Sequence, residues 1–233
     1  MKKYLVVILL LIATWSNATE IEFKTLFVDH RYNWQTPTTS ITLNDDTSKK
    51  QTLFGIYAAL NTRYGASFFY EGIFNSAGQH TLNLINGIDI NNTLISNKDK
   101  AILSNIFEVS RSCSYNSFGV EYFLNPIIRP LLKVEQSKYS LAVISPSQQI
   151  DLNINQYNAG VGIAISQANP DTFLQGKIYY LVGKDTFGWD IDVTGRWFTR
   201  GSYIGGGYRY KDITTGKFTY GFSGPYLELG VVY

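Results

Sequence analysis

Between Trp189 and Trp197 the chain alternates without a fault: Trp189, Ile191, Val193, Gly195 and Trp197 share one face of an extended strand, while Asp190, Asp192, Thr194 and Arg196 share the other. Successive side chains of a strand point to opposite faces, so this segment has one face fit for hydrocarbon and one fit only for water or other charges. Eight residues at about 3.3 Å rise cover roughly 26 Å, which a tilt near 40° projects to about 20 Å along a membrane normal. Trp189 and Trp197 are therefore expected near two membrane interfaces. The competing reading makes them core tryptophans of a soluble sandwich.

The same phase rule recurs along the chain. Phe54, Ile56, Ala58, Leu60 and Tyr64 oppose Gly55, Tyr57, Asn61 and Arg63; Ala159, Val161, Ile163 and Ile165 oppose Gly160, Gly162 and Ala164. Gly176, Ile178, Tyr180 and Val182 oppose Gln175, Lys177 and Tyr179, and Ile204, Gly206, Tyr208 and Tyr210 oppose Gly205, Gly207 and Arg209. Beyond residue 18 no apolar run approaches the ~20 residues that a membrane helix needs. If the protein enters a membrane it must do so as strands closed on themselves, because only helices and barrels satisfy every backbone group in lipid. The usage of 17 tyrosines against six prolines suits strands and interfacial aromatic belts.

Both ends fit that reading. Lys2 and Lys3 precede an apolar run from Tyr4 to Ala13, and Ser16, Asn17 and Ala18 offer a cleavage site, so residues 1–18 are expected to be a secretory signal peptide and residues 19–233 the barrel domain. The whole sequence carries 20 Lys and Arg against 18 Asp and Glu. Loss of Lys2 and Lys3 with the leader leaves a formally neutral chain. At the other end Leu227, Leu229, Val231 and Tyr233 share a face, so the chain stops inside an apolar strand with Tyr233 in interfacial position.

Ten strands are expected, near 20–33, 51–64, 66–75, 106–124, 128–138, 154–166, 172–183, 188–199, 202–212 and 222–233, with eight or twelve as alternatives. Tight turns fall at Tyr64 to Ala66, Asn125 to Pro126, Ala168 to Asp171 and Arg200 to Gly201, where Gly, Pro and Asn supply the geometry. Longer polar stretches are expected at 33–50, 75–105, 138–155 and 211–221. Leu82, Leu84, Ile88 and Ile90 alternate well enough to add a strand, with Leu103, Phe107 and Val109 in its partner.

Leader, alternating strands, short and long connections in turn, and a terminal aromatic strand resemble the small outer-membrane β-barrel proteins of Gram-negative bacteria, the class of the OmpA transmembrane domain and OmpX. The resemblance covers the whole mature chain at the level of pattern. It implies an antiparallel up-and-down transmembrane barrel in the cell outer membrane, with lipid as its surroundings. It also implies reading of the Tyr233 end by the barrel-assembly machinery; most members end in phenylalanine, where this chain has tyrosine with Val231 third from last.

On the polar faces lie Arg63, Arg129, Lys133, Lys177, Arg196 and Arg209, and the acids Glu71, Glu121, Glu135, Asp190, Asp192 and Glu228. The first strand is left out of this list because its alternation is read as slipping phase between Thr25 and Val28. Selective channels favour one sign of charge, and a balanced bore at eight to ten strands is only just wide enough for its own side chains. A lumen plugged by an ion network is therefore expected, centred on Asp190, Asp192, Arg196, Arg209 and Glu228; the alternative is charges facing lumen water without fixed partners. Trp189, Trp197, Tyr208, Tyr210 and Tyr233 are the expected interface aromatics.

Catalytic and metal readings find little. His30 and His80 sit in no hydrolase or metalloprotease motif, and Asp29 cannot orient His30 because strand neighbours point to opposite faces. Asn44 to Asp46 and the Asn91–Asn92 pair lack the spacing of a calcium loop. Cys113, the single cysteine, cannot form an internal disulfide, and Lys49–Lys50 is too small a basic run for nucleic acid. No enzyme activity and no cofactor are expected. The function expected is a monomeric structural or surface-interaction barrel acting through its outer connections. A narrow diffusion channel is the first alternative and a soluble exported barrel or sandwich the second.

Overall fold

The computed structural model describes residues 16–35, 40–44, 51–62, 64–75, 108–144, 149–169, 171–216 and 218–233. Among these residues eleven strands run in chain order: β1 (Ser16–Gln35), β2 (Ser40–Asn44), β3 (Gln51–Thr62), β4 (Ala66–Asn75), β5 (Glu108–Tyr122), β6 (Ile128–Ile144), β7 (Gln149–Ala168), β8 (Thr172–Gly183), β9 (Thr186–Thr199), β10 (Ser202–Thr215) and β11 (Phe218–Val232). Each pairs antiparallel with its sequence neighbour, except that β3 returns to β1 beside the short β2. Pairing of β1 with β11, from Glu20 opposite Val232 to Trp34 opposite Phe218, closes the sheet into a ten-strand barrel. β2 adds only a short ladder on the upper part of β1. Closure removes the open edges that make sheets prone to aggregation.

Which side chains face out is set by the alternation. Phe23, Phe68, Phe118, Leu132, Val134, Val161, Ile165, Val193, Ile204, Leu227 and Leu229 are each more than half exposed. A contiguous apolar belt of this kind is unsuited to water and suited to lipid. The inward positions hold the buried residues, charged ones included. The barrel is thus inverted relative to a soluble protein, with its apolar surface outside and its ions inside.

The four expected tight turns join β3 to β4, β5 to β6, β7 to β8 and β9 to β10 at one end of the barrel. Gly65 (φ 73°) and Gly201 (φ 85°) supply left-handed backbone in two of them. At Asn125 the side-chain oxygen accepts from the Ile127 and Ile128 amides at 2.9 and 2.7 Å, forming the third. Both ends of the described chain lie here, with Thr19 and Tyr233 exchanging backbone hydrogen bonds of 3.0 and 2.9 Å.

Three expectations need correction. The polar stretches 138–155 and 211–221 are mostly strand: Lys138 pairs with Asn155 and the ladder continues to Ile144 opposite Gln149, while Lys211 pairs with Phe222 and the ladder continues to Thr215 opposite Phe218. Outward residues there, such as Lys138, Asn153 and Asn155, are exposed and polar because this part of the wall stands above the apolar belt. The phase of β1 does not slip. Glu22, Lys24, Leu26, Val28 and His30 are buried in strict alternation, with Phe23 and Phe27 outside. β1 also starts at Ser16, before the expected start near residue 20, with Ser16 and Ala18 opposite Thr62 and Asn61. The possible strand pair around Leu82, Leu84, Ile88, Ile90, Leu103 and Phe107 lies outside the described residues, as do His80, Asp45, Asp46, Asn91 and Asn92.

Candidate functional site: the filled lumen

The inward positions form two layers. Nearer the short turns lies an ionic layer; nearer the long connections lies an apolar and aromatic one. Among the described residues the ionic layer contains seven cations, Lys24, Arg129, Lys133, Lys177, Arg196, Arg209 and Lys211, and eight carboxylates, Glu20, Glu22, Glu71, Glu121, Glu135, Asp190, Asp192 and Glu228. Arg63, the remaining expected member, lies outside the described residues. All of the other expected lumen charges point inward.

At the centre Asp190 on β9 collects three cations. Lys133 reaches its Oδ2 at 2.6 Å, Lys211 at 3.3 Å, and Arg209 donates to both carboxylate oxygens at 3.0 and 2.8 Å. Arg209 also grips Glu71, far round the wall on β4, with bonds of 2.6 and 2.9 Å in a bidentate arrangement. Glu135 joins Lys133 at 3.0 Å and Lys211 at 2.5 Å. Lys133–Asp190, Arg209–Glu71 and Lys211–Glu135 join strands that are not neighbours, so these three pairs cross the bore rather than line it. Leaving any one charge alone here would cost several kcal/mol, which the mutual pairing offsets.

A second cluster lies toward the short turns. Arg196 donates to Glu20 at 2.7 Å, Glu22 at 2.5 Å and Glu228 at 2.6 Å, and the Tyr203 hydroxyl donates to Glu20 and Glu22 at 2.6 and 2.7 Å. The Tyr203 ring lies over Gly230, its register partner on β11, where a Cβ would clash with the ring's Cζ and Cε1. Glycine at 230 therefore makes room for the ring that carries this hydroxyl. Lys24 bridges the two clusters, 2.9 Å from Glu22, 3.6 Å from Glu228 and 3.7 Å from Asp192. Asp192 accepts from Tyr226 at 2.6 Å and from Thr194 at 3.1 Å, and Thr194 is itself hydrogen-bonded to Tyr226. The space left between these groups is a void of about 20 Å³, room for about one water molecule.

Above the ions the bore is closed by rings. Tyr139 on β6 stacks on Tyr220 of β11 at 5.1 Å and meets Phe218 at 5.9 Å, while Tyr115 on β5 meets Phe222 at 5.5 Å. Leu26, Val28, Leu53, Ile73 and Ile213 complete this layer, all buried. Cys113 belongs to it as a buried thiol. Lys211 joins the layers, its ammonium 4.5 Å from the centre of the Tyr115 ring.

The structure joins some of the residues expected at the centre and adds others. Asp190 and Arg209 do meet, and Arg196 and Glu228 do meet, but Lys133, Glu135 and Glu71 from distant strands are equal members. Glu20, Glu22 and Lys24 were missed through the supposed phase slip, and Lys211 because its stretch reads as a loop. Carrying the alternation of Glu22 and Lys24 on through His30 would have found the first strand's members. Of the outward aromatics, Trp189, Trp197, Tyr208 and Tyr233 are well exposed, whereas Tyr210 is partly covered by the Arg31 guanidinium, 4.8 Å from its ring. Asp29 and His30 face opposite sides of β1, and His30 packs 6.1 Å from the Phe222 ring. Among the described residues no cluster of His, Cys, Asp or Glu has the form of a metal site.

This architecture is that of the outer-membrane β-barrels. The outer membrane protease OmpT from Escherichia coli superposes over 94% of this chain and 97% of its own, with a TM-score of 0.60 at 10% sequence identity. Ail, the attachment invasion locus protein of Yersinia pestis, aligns over 92% of this chain and 98% of its own at 7% identity and a TM-score of 0.46; the N-terminal barrel of Pseudomonas aeruginosa OprF aligns over 94% and 98% at 11% and 0.36. At such identities the likeness concerns the fold alone, and only the OmpT superposition is close enough to weigh. No family model matches the chain, and no curated protein matches it by sequence.

Proposed function

We propose that this protein is a monomeric, non-enzymatic barrel of the bacterial outer membrane, whose lumen is closed and whose work is done by the wall and connections that face the cell exterior. The observation that carries this reading is the lumen itself: cross-bore ion pairs and stacked rings occupy it, leaving a central void of about 20 Å³. A conducting barrel needs hydrated space that this one spends on its own side chains. Against a protease-like activity stands the placement of His30, which packs on Phe222 with Asp29 on the opposite face of its strand.

In this reading the belt of Trp189 to Trp197 spans the bilayer, with Tyr208, Tyr210 and Tyr233 also serving at its interfaces. The end with the β3–β4, β5–β6, β7–β8 and β9–β10 turns faces the periplasm, and the opposite end, which carries the long 76–107 connection together with the β8–β9 turn, faces the exterior. Residues 1–18 act as the export leader, and their removal takes from β1 only its first residues. The Tyr233 strand then serves as the signal for barrel assembly. The soluble alternative would place the exposed Phe23, Val134 and Leu229 in water, an apolar surface larger than soluble monomers tolerate.

Cysteine labelling in whole cells tests location and orientation together. Lys184→Cys, at the turn between β8 and β9, is expected to react with a membrane-impermeant maleimide in intact cells, and Asp171→Cys, at the turn between β7 and β8, only after permeabilisation. Both positions are exposed. Equal labelling of the two, or recovery of the protein in the soluble periplasmic fraction, would overturn the assignment.

A further inference from the structure

The bore is filled at its centre but open at the short-turn end. There a cup of about 250 Å³ is walled by Phe123, Phe173 and Phe198 and floored by Arg129, Lys177 and Glu121. None of these contacts is explained by closure of the barrel, which the deeper ion pairs already achieve.

Arg129 is 9% exposed and its guanidinium is only partly engaged. One terminal nitrogen donates to Glu121 at 3.2 Å and the other to Ser166 at 2.8 Å, while the Nε–H, also buried, has no partner. Buried guanidinium N–H groups are almost always used, and one left unused costs a kcal/mol or more. Glu121 is shared, for Lys177 donates to its other oxygen at 2.5 Å. Two cations thus divide one carboxylate, and this corner carries a surplus positive charge. Glu20, across the mouth, is turned to Arg196 and the Tyr203 hydroxyl instead of to this corner.

The surroundings of the surplus charge are apolar on two sides. The Arg129 guanidinium carbon lies 4.9 Å from the centre of the Phe123 ring and 5.6 Å from that of Phe173. Such stacking holds the fork in one orientation and lowers the local dielectric, which strengthens a charge-assisted hydrogen bond. Two cations sharing one carboxylate and aromatic walls around one space define what fits: one negative charge joined to a small apolar body.

We infer that this cup is a binding site for a small aromatic or aliphatic monocarboxylate, entered from the short-turn end of the barrel. The carboxylate takes the Lys177 ammonium beside the Arg129 guanidinium, and the apolar body lies between the Phe123, Phe173 and Phe198 rings. The site is at the opposite end from the surface invoked for the proposed function and holds whether or not that reading does.

The test uses the full mature barrel in detergent micelles with 4-fluorobenzoate as probe, followed by fluorine NMR, and the neutral 4-fluorobenzamide as its isostere. Saturable binding of the acid with a Kd of about 0.1–10 mM is expected for a ligand of this size, with the amide roughly tenfold weaker or worse. Lys177→Met leaves Arg129 and Glu121 as a balanced pair, so the fold is retained while the surplus charge goes, and the preference for acid over amide is expected to disappear. Arg129→Gln is expected to abolish binding. Absence of saturable binding, equal binding of acid and amide by the unaltered protein, or an unchanged preference in the Lys177→Met variant would overturn the site.

Discussion

Asp190→Ala is expected to destabilise the barrel by about 3–5 kcal/mol, because it leaves Lys133, Arg209 and Lys211 crowded together without the carboxylate that joins them. Lys133 lies 2.6 Å from Asp190 and is almost wholly buried, so it cannot turn to water. Reversible urea unfolding in lipid vesicles measures the loss. The sign of the second change is the sharper test: adding Lys211→Met to Asp190→Ala removes one surplus cation and is expected to recover part of the stability. Glu135 then keeps Lys133 as its partner at 3.0 Å. Simple additivity of the two losses would mean that the charges do not act as a network.

Val193→Arg is expected to cost about 2–4 kcal/mol, since Val193 is 56% exposed midway along the Trp189 to Trp197 face and a charge there enters the middle of the bilayer. At Phe187, one more outward position beyond Trp189, the same substitution should fall to about 0–1 kcal/mol, as the depth dependence of lipid-facing charges requires. Vesicle-based unfolding again supplies the measurement. Sequence alone makes an inward arginine at Thr194 the mild control. The packed lumen reverses that expectation, because Thr194 is buried against Asp192 and Tyr226 and has no room for a longer side chain.

The outward half of the fold was legible because lipid tolerates only apolar side chains, so the outer face of each strand speaks one language throughout. Val161, Ile163 and Ile165, or Ile178, Tyr180 and Val182, give the phase unaided. Where the wall rises above the lipid that constraint ends. Lys138, Asn153 and Asn155 face water and read as a loop, although the backbone ladder continues beneath them to Ile144 and Gln149. Phase was lost on β1 for the opposite reason. Leu26 and Val28 line the dry ring layer while Phe27 faces outward, so both faces are apolar and only the regular count from Glu22 and Lys24 to His30 tells them apart.

The charged residues of the lumen could be named from their faces, but not their partners. Arg209 and Glu71 stand 138 residues apart and meet because closure places β10 and β4 on facing walls. Pairing across a bore depends on strand stagger, which no local pattern records. The surplus charge at Arg129 and Lys177 was invisible for the same reason: both appear in the sequence as ordinary lumen cations, and only the geometry shows them dividing Glu121.

Single-channel recording in a planar bilayer bears most directly on the closed lumen. With refolded protein first shown to float with liposomes, no steady openings are expected, since ion pairs such as Lys133–Asp190 and rings such as Tyr139–Tyr220 meet across the path. Regular, reproducible openings from the unaltered protein would contradict a filled bore and make transport the function to pursue.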